Sequence, residues 1–190
     1  ARIPILELRK SEDPEIKGIA DYVYENIFLK YTMKQWGQTP KEIDSSVSGR
    51  VPVLVSYDNR YFQDKYQGMP LDGYTKLFDN LLNHENIAIK LNEKITGIDG
   101  IPDAGNIIYT GPIDELFACK YGRLPYRSLN FVFENYKIQS YQSHGVVNYT
   151  VSEEYTRITE FKKLTGQKSD STTIVKEYPI PYTGEMGEIP

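Results

Sequence analysis

The chain has 190 residues, 39% of them hydrophobic and 25% charged, and a net charge of −4. This composition is typical of a globular protein with one domain or two small ones, and the charge argues against a surface that binds nucleic acid or an anionic membrane. A single cysteine, Cys119, excludes an internal disulfide and fits a reducing, cytoplasmic location, and with two histidines the sequence favours no metal site. No apolar run reaches the length of a membrane span.

The first predicted element is an amphipathic helix that begins at Asp13 and Pro14. An acidic N-cap followed by proline is a helix-start signal. Gly37, after Trp36, is a plausible C-cap. The apolar residues in between recur at helical spacing and form one face: Ile16, Ile19, Ala20, Val23 and Ile27.

The rest of the chain predicts a loop, one more helix and then strands. Residues 44–52 are small, polar and glycine-containing, which predicts a mobile loop. A helical face follows Gly73, and from about residue 86 the apolar residues alternate. We therefore predict an α+β fold with a mainly helical segment, 1–85, and an antiparallel sheet of about five or six strands in 86–190. Strands are predicted at 87–91, 106–110, 129–133, 145–151, 156–163 and 172–178.

Aromatic and polar side chains near the end of the first helix form a candidate binding stripe. Phe28, Tyr31, Thr32 and Gln35 share a face by their spacing, and Trp36 follows. Such a stripe is more often core than binding site. However, the isoleucines already provide a core face, and aromatic rings beside hydrogen-bonding groups suit a nucleobase or a sugar ring.

Several arginines are candidates for binding an anion. Arg50 lies in the predicted mobile loop, and tyrosines including Tyr61 follow it; a solvated arginine is an equally good interpretation. Arg127 opens an apolar strand, where its charge needs a protein carboxylate or a ligand phosphate as partner. Arg157 is expected by default to pair with a carboxylate of the sheet. Cys119 has no neighbouring histidine and is interpreted as a packing residue.

Several longer sequence segments resemble the UDP-galactopyranose mutase family. They occur in the family's order and cover nearly all of the chain after residue 26. They are YTMKQWG (31–37), RVPV (50–53), YDNRYFQDKYQGMPLDGYTKLF (57–78), YTGPIDELF (109–117), YGRLPYRSL (121–129), VVNYT (146–150), EYTRITEFKKL (154–164) and KEYPIPY (176–182).

The resemblance implies an isomerase that interconverts UDP-galactopyranose and UDP-galactofuranose, the latter for cell-surface polysaccharide, with reduced FAD as cofactor. In the family the flavin N5 is thought to attack the anomeric carbon and release UDP, after which the sugar opens through an iminium adduct and recloses in the other ring size. The full-length enzyme is expected to be a cytoplasmic homodimer.

The resemblance also implies roles for individual residues. Tyr31 would stack on uracil beside Phe28 and Thr32, and Trp36 would lie near the sugar. Arg50 would close over the diphosphate and, with Arg127, serve catalysis. The remaining implied contacts are Tyr61 to phosphate, Asn148 to the nucleoside, and Thr110, Gly111 and Arg157 to the flavin.

Two parts of the family pattern are missing from these 190 residues: the N-terminal Rossmann motif with its following histidine, and the C-terminal helix. We therefore expect a middle segment excised from a Rossmann-like FAD-binding flavoenzyme. Alone, it is expected to be inactive, to retain no FAD and to expose apolar patches where the flavin part would pack. The alternatives are a nucleotide-sugar-binding module without catalysis and an aromatic-rich scaffold that binds protein.

Overall fold

The structure is a computed structural model, in which the chain divides into two compact units. Ala1–Met69 and Arg127–Pro190 form the first unit, and Pro70–Tyr126 form the second. This division does not coincide with the expected boundary at residues 85–86. The residues that the structure describes are 2–39, 42–43, 53–54, 56–58, 60, 62–95, 97–100, 105–185 and 188.

The helical part of the first unit is almost continuous. After a short helix α1 (Ile5–Leu8), α2 (Pro14–Val23) runs directly into a π-helix, Tyr24–Leu29, and then into α3 (Lys30–Trp36). The Asp13 carboxylate caps α2 by accepting hydrogen bonds from the backbone N–H groups of Glu15 and Ile16. The predicted helix start and the Gly37 C-cap, which has φ +68°, are both confirmed.

A four-stranded antiparallel sheet forms the other part of the first unit, with strand order β3-β6-β5-β4. The long strands β3 (Arg127–Tyr136) and β6 (Thr172–Pro181) pair along their full lengths. On the other side of β6 lie β5 (Arg157–Glu160) and then β4 (Val146–Asn148). A separate pair joins β1 (Arg2–Ile3) to β2 (Val53–Leu54), and helix α6 (Phe161–Thr165) follows β5.

The core of the first unit lies around the central strands and the first helices. Its buried apolar side chains are Ile5, Ala20, Ile158, Ile174 and Val175. Polar side chains are buried among them, including the carboxylate of Glu160 and the hydroxyls of Thr156 and Thr172. A core that contains so many polar groups requires hydrogen-bond partners for each of them.

The second unit is loosely packed in the part of the chain that the structure describes. It contains α4 (Gly73–Leu82), a 3₁₀ turn (Ile98–Gly100) and α5 (Ile113–Leu116). The helix predicted after Gly73 is confirmed, but all of its side chains are exposed. Within this unit Leu116 is the buried residue among those described.

The predicted strands at 87–91 and 106–110 are wrong. Both segments are irregular, and apolar side chains in them are exposed, such as Leu91 at 79% and Ile108 at 90%. Alternation makes a strand only where a neighbouring strand can take up the backbone hydrogen bonds. The described sheet accordingly has four strands rather than five or six, all of them after residue 126. The α+β class with an antiparallel sheet is confirmed.

Large apolar side chains are exposed on both units in the part of the chain that the structure describes, and the prediction that the isoleucines of α2 provide a core face is wrong for Ile16 and Ile19. On α2, Ile19 of the predicted core face is 63% exposed, whereas Ala20 is fully buried. The exposed apolar residues of α4 are Tyr74, Leu77, Phe78, Leu81 and Leu82.

Candidate functional site

The aromatic stripe lies where the π-helix meets α3. Phe28 belongs to the π-helix, while Tyr31, Thr32 and Trp36 belong to α3. Thr32 is buried, Phe28 and Tyr31 are half-buried, and Trp36 is 40% exposed. The stripe therefore offers partly accessible aromatic rings beside a packed threonine, an arrangement that can receive a flat ring.

Arg127 lies at the first position of β3 and reaches the end of α3. Its Nε donates to the carbonyl oxygen of Gln35 over 3.2 Å. A cation at the carboxyl end of a helix is stabilised by the helix dipole. Gly37 lies beside the guanidinium, since a Cβ at this glycine would be 3.7 Å from Nη1 of Arg127. Among the described residues, this half-buried cation bonds to a backbone carbonyl, and the bond joins the sheet to α3.

Asn148, Arg157 and Glu177 form one row across three strands. They are register partners: Asn148 faces Arg157 and Arg157 faces Glu177. Arg157 donates from Nε to Oδ1 of Asn148 over 2.9 Å, and its Nη1 lies 3.7 Å from Oε2 of Glu177. The expected pairing of Arg157 with a sheet carboxylate is confirmed.

The arginines of both strand ends share one face of the sheet. Glu177 is also the register partner of Phe131, which places Phe131 in the same row as Arg157. Since side chains alternate along a strand, Arg127 projects to the same side as Phe131. This face therefore carries two guanidinium groups and the amide of Asn148, groups that can donate hydrogen bonds to an anionic ligand.

Lys34 bonds to the segment that follows β4, a contact that could not be predicted from the sequence. Its Nζ donates to the carbonyl oxygens of Tyr149 over 2.7 Å and of Tyr155 over 3.3 Å. Burial lowers the pKa of Lys34 below its ordinary value, while the negative charge of Glu153 acts in the opposite direction. The sequence feature that could have pointed to Lys34 is its position inside the aromatic stripe.

In the second unit, Asp114 connects two of the sequence segments that resemble the family. Its carboxylate accepts hydrogen bonds from the backbone N–H of Leu124 over 3.1 Å and from the hydroxyl of Tyr126 over 3.0 Å. The Leu124 hydrogen bond is the main reason that the pKa of Asp114 is lowered. Within the second unit, the segments 109–117 and 121–126 are thereby held together by one side chain.

The predicted flavin-binding turn lies in the second unit as well. Thr110 and Gly111 are exposed and irregular. The hydroxyl of Tyr109 donates to the carbonyl of Pro112 over 3.4 Å, so the tyrosine ring folds over the turn. A Cβ at Gly111 would lie 2.6 Å from Cζ of that ring, which explains a glycine at this position.

Two of the predicted site residues, Arg50 and Tyr61, lie outside the described residues, as does the predicted mobile loop 44–52. Among the residues that are described, no group of three or more histidine, cysteine or acidic side chains could hold a metal ion. The described helices are too short or too polar to cross a membrane.

In the first unit, α3 and the sheet bring aromatic residues and guanidinium groups together. The sequence profile described as UDP-galactopyranose mutase matches residues 26–189. This chain belongs to the UDP-galactopyranose mutase family.

Individual relatives are similar over almost the whole chain. The chain is 38% identical to a probable UDP-galactopyranose mutase of Klebsiella pneumoniae, over 97% of this chain and 50% of that protein. It is 37% identical to the dTDP-fucopyranose mutase of Escherichia coli, over 88% and 46%. With the UDP-galactopyranose mutase of Mycoplasma pneumoniae it shares 31%, over 93% and 47%. The chain thus spans about half the length of the curated relatives it matches.

Proposed function

We propose that these residues form the nucleotide-sugar-binding part of a flavin-dependent mutase that interconverts UDP-galactopyranose and UDP-galactofuranose. Membership of the family supports the class of reaction. The observation that carries the proposal is the junction of α3 with the sheet, where Arg127 bonds to the carbonyl of Gln35 and Lys34 bonds to the carbonyl of Tyr149. These two contacts hold the aromatic stripe next to the sheet that carries Asn148 and Arg157.

The aromatic stripe would bind the nucleoside. Tyr31 would stack on the base, with Phe28 and Thr32 beside it, and Trp36 would lie near the sugar. A base–aromatic stack is worth about 1–3 kcal/mol on substitution by alanine. Asn148, exposed at the end of β4, would contact the nucleoside from the side of the sheet.

The cationic groups would bind the diphosphate, which is both the leaving group and the group that returns. Arg50, from the loop 44–52, and Tyr61 would close over it, and closure of a loop excludes water and fixes the reacting groups. Arg127 would stabilise the negative charge that develops on the departing UDP. Its contact with Gln35 holds the guanidinium in a fixed orientation before the ligand arrives.

The residues present fit one edge of a flavin rather than the whole cofactor. Within the first unit, Arg157 keeps part of its side chain exposed and could approach an anionic or polar ring edge. The Thr110–Gly111 turn of the second unit is open by itself, and its assignment to the flavin comes from the family resemblance alone. These 190 residues contain no glycine-rich dinucleotide motif to hold the pyrophosphate. Reduced FAD, when bound, would supply the nucleophile for the anomeric carbon.

Two nucleotides are candidates for the ligand. The Escherichia coli relative is named as a dTDP-fucopyranose mutase and is nearly as similar as the Klebsiella protein. A thymine nucleotide is therefore the second candidate ligand, and binding without catalysis is the alternative function.

The test is titration calorimetry of UDP and dTDP, at two salt concentrations, with the protein at the full length that its gene encodes. Tyr31→Ala should weaken UDP with little dependence on salt, because stacking involves no net charge. Arg50→Ala should weaken UDP most at low salt and reduce turnover, while Arg50→Lys should rescue only in part because an ammonium lacks the two-pronged geometry.

Each outcome has a defined meaning. A wild-type protein that binds neither nucleotide contradicts the proposal, and one that prefers dTDP changes the substrate. UDP binding without turnover of UDP-galactopyranose by the flavin-loaded protein favours the module without catalysis. If Arg50→Ala leaves affinity and turnover unchanged at low salt, the loop does not clamp the phosphates.

A further inference from the structure

The Lys34 side chain connects α3 to the segment that joins β4 to β5. Its ammonium donates to the carbonyls of Tyr149 and Tyr155, which lie at opposite ends of this segment. Tyr149 directly follows Asn148, and Tyr155 precedes Arg157 by two residues. One ammonium group thus touches the backbone next to both polar residues of the sheet row.

The segment itself is closed by backbone hydrogen bonds. The N–H of Tyr149 donates to the carbonyl of Thr156 over 2.9 Å, and the N–H of Thr156 donates to the carbonyl of Glu177 over 2.9 Å. The rings of Tyr149 and Tyr155 contact each other edge to face, with centroids 4.9 Å apart. Since the ends of the segment are fixed in this way, its carbonyls form a firm anchor for Lys34.

A second contact holds the next residue of α3. Arg127 of β3 bonds to the carbonyl of Gln35, directly after Lys34. Rotation or sliding of the seven-residue helix would break one or both contacts, so together they fix its position on the sheet. Tyr31 lies three residues before Lys34, hence on the neighbouring part of the helix surface.

We propose that Lys34 is a positioning residue that keeps the base-binding side chains of α3 at a fixed distance from the diphosphate-binding Arg127 of the sheet. This inference rests on the proposed function, because it requires a ligand with a base at one end and a diphosphate at the other. Two subsites at a fixed separation bind a linked ligand more tightly than one subsite binds one part of that ligand. The reason is that the second contact becomes intramolecular once the first has formed. Loosening α3 reduces that advantage even when each subsite is intact.

The chemistry of the contact favours this role over simple packing. A half-buried ammonium held by carbonyl oxygens loses hydration, and burial lowers the pKa of Lys34 accordingly. An apolar side chain would pack the helix without this cost. A lysine, by contrast, supplies directional donors that define where the helix must lie.

The experiment compares uridine with UDP in the protein at the full length that its gene encodes. The quantity measured is the ratio of the two dissociation constants, Kd(uridine)/Kd(UDP), with ligand-observed NMR for uridine and calorimetry for UDP. Lys34→Met, which keeps the stem and removes the donors, should lower this ratio roughly tenfold, because a loosened stack and diphosphate site no longer act together. Lys34→Arg should restore most of it, since a guanidinium can reach both carbonyls.

The matched control is Lys30→Met. Lys30 is exposed, lies on the same helix, and donates to Asn26 over 3.4 Å rather than to the sheet. Its substitution should leave the ratio within about twofold, as for an ordinary surface position. If Lys34→Met does not fold, Lys34→Gln, which keeps a shorter neutral donor, is measured in its place and should also lower the ratio.

If the folded Lys34 variant keeps the wild-type ratio Kd(uridine)/Kd(UDP), the inference is overturned. This holds even when the variant has a lower melting temperature, because Lys34 would then contribute to stability alone. A ratio that falls equally in Lys30→Met also overturns it. If the wild-type protein binds no UDP, the proposed function fails and this inference fails with it. If the wild type binds UDP and the Lys34 ratio is unchanged, the inference alone fails.

Discussion

The buried carboxylate of Glu160 is the side chain whose loss should damage the sheet most. Glu160 is 0% exposed and ends β5. It accepts hydrogen bonds from the N–H of Tyr141 over 3.0 Å, from the N–H of Gln142 over 3.1 Å and from the hydroxyl of Thr172 over 2.7 Å. These bonds attach the segment before β4 to the central strands. We predict that Glu160→Gln destabilises the protein.

The magnitude follows from the hydrogen bonds that are lost. A bond from a neutral donor to a charged group contributes about 1.5–3 kcal/mol. Glutamine keeps one acceptor oxygen and turns an NH₂ group toward the remaining donors, so at least one partly buried N–H loses its partner. The substitution also removes the cost of burying a charge, which offsets part of the loss. We expect the free energy of unfolding to fall by about 2–3 kcal/mol.

The assay is urea denaturation of the wild type, Glu160→Gln and the exposed control Glu154→Gln, at several pH values. Burial raises the pKa of Glu160, but the N–H groups of Tyr141 and Gln142 and the hydroxyl of Thr172 together hold it below its ordinary value of 4.5. A carboxyl with a lowered pKa stabilises the fold fully above pH 4.5, and this contribution is lost as the pH falls through the folded-state pKa. The difference between wild type and Glu160→Gln should therefore shrink in acid. A loss below about 0.5 kcal/mol at pH 7, the range of a surface substitution, would refute the reasoning.

Two further predictions concern the ends of the helical part. Asp13→Ala removes the cap of α2 and should lower the free energy of unfolding by about 1 kcal/mol in the same urea assay, whereas Asp13→Asn should be nearly neutral. Gly37→Ala should also destabilise by about 1–2 kcal/mol, because Gly37 has φ +68°. The added Cβ meets Arg127 at ordinary contact distance, so UDP affinity should be unchanged; a large loss of affinity would show that Arg127 had moved.

Local signals in the sequence were sufficient where an element is stabilised by its own residues. The start of α2 depends on Asp13 and Pro14, and the end of α3 on Gly37, so both could be predicted. In the strands after residue 126, Ile158 and Ile174 are buried, whereas Phe131 and Phe133 of β3 are 49% and 63% exposed. The strand predicted from Phe131 and Phe133 nevertheless forms, because β3 pairs with β6 over its whole length. Arg157 was expected by default to pair with a carboxylate of the sheet, and the structure supplies Glu177 as that partner.

Long-range contacts were beyond prediction from the spacing of residues. Lys34 reaches a carbonyl 115 residues away, and Asp114 is tied to Tyr126 by a side-chain bond, and no local period encodes either contact. The alternation of Ile87, Ile89 and Leu91 predicted a strand that does not form. Periodicity indicates which face of a segment is apolar but not whether another element covers that face. In the described structure these side chains are exposed, and the strand does not form.

The π-helix between α2 and α3 shows why periodicity predicted the elements but not the direction of the binding stripe. The spacing of Ile16, Ile19 and Val23 was extended to Ile27 as though one α-helix continued. The π-helix Tyr24–Leu29 interrupts that period, and each additional residue in a turn rotates everything after it by about 100°. The stripe that includes Tyr31 is therefore turned away from the direction that the isoleucines predict. One nearly continuous helix can in this way present an apolar face along α2 and, along α3, a surface that Lys34 and Arg127 fix to the sheet and where the proposed ligand would bind.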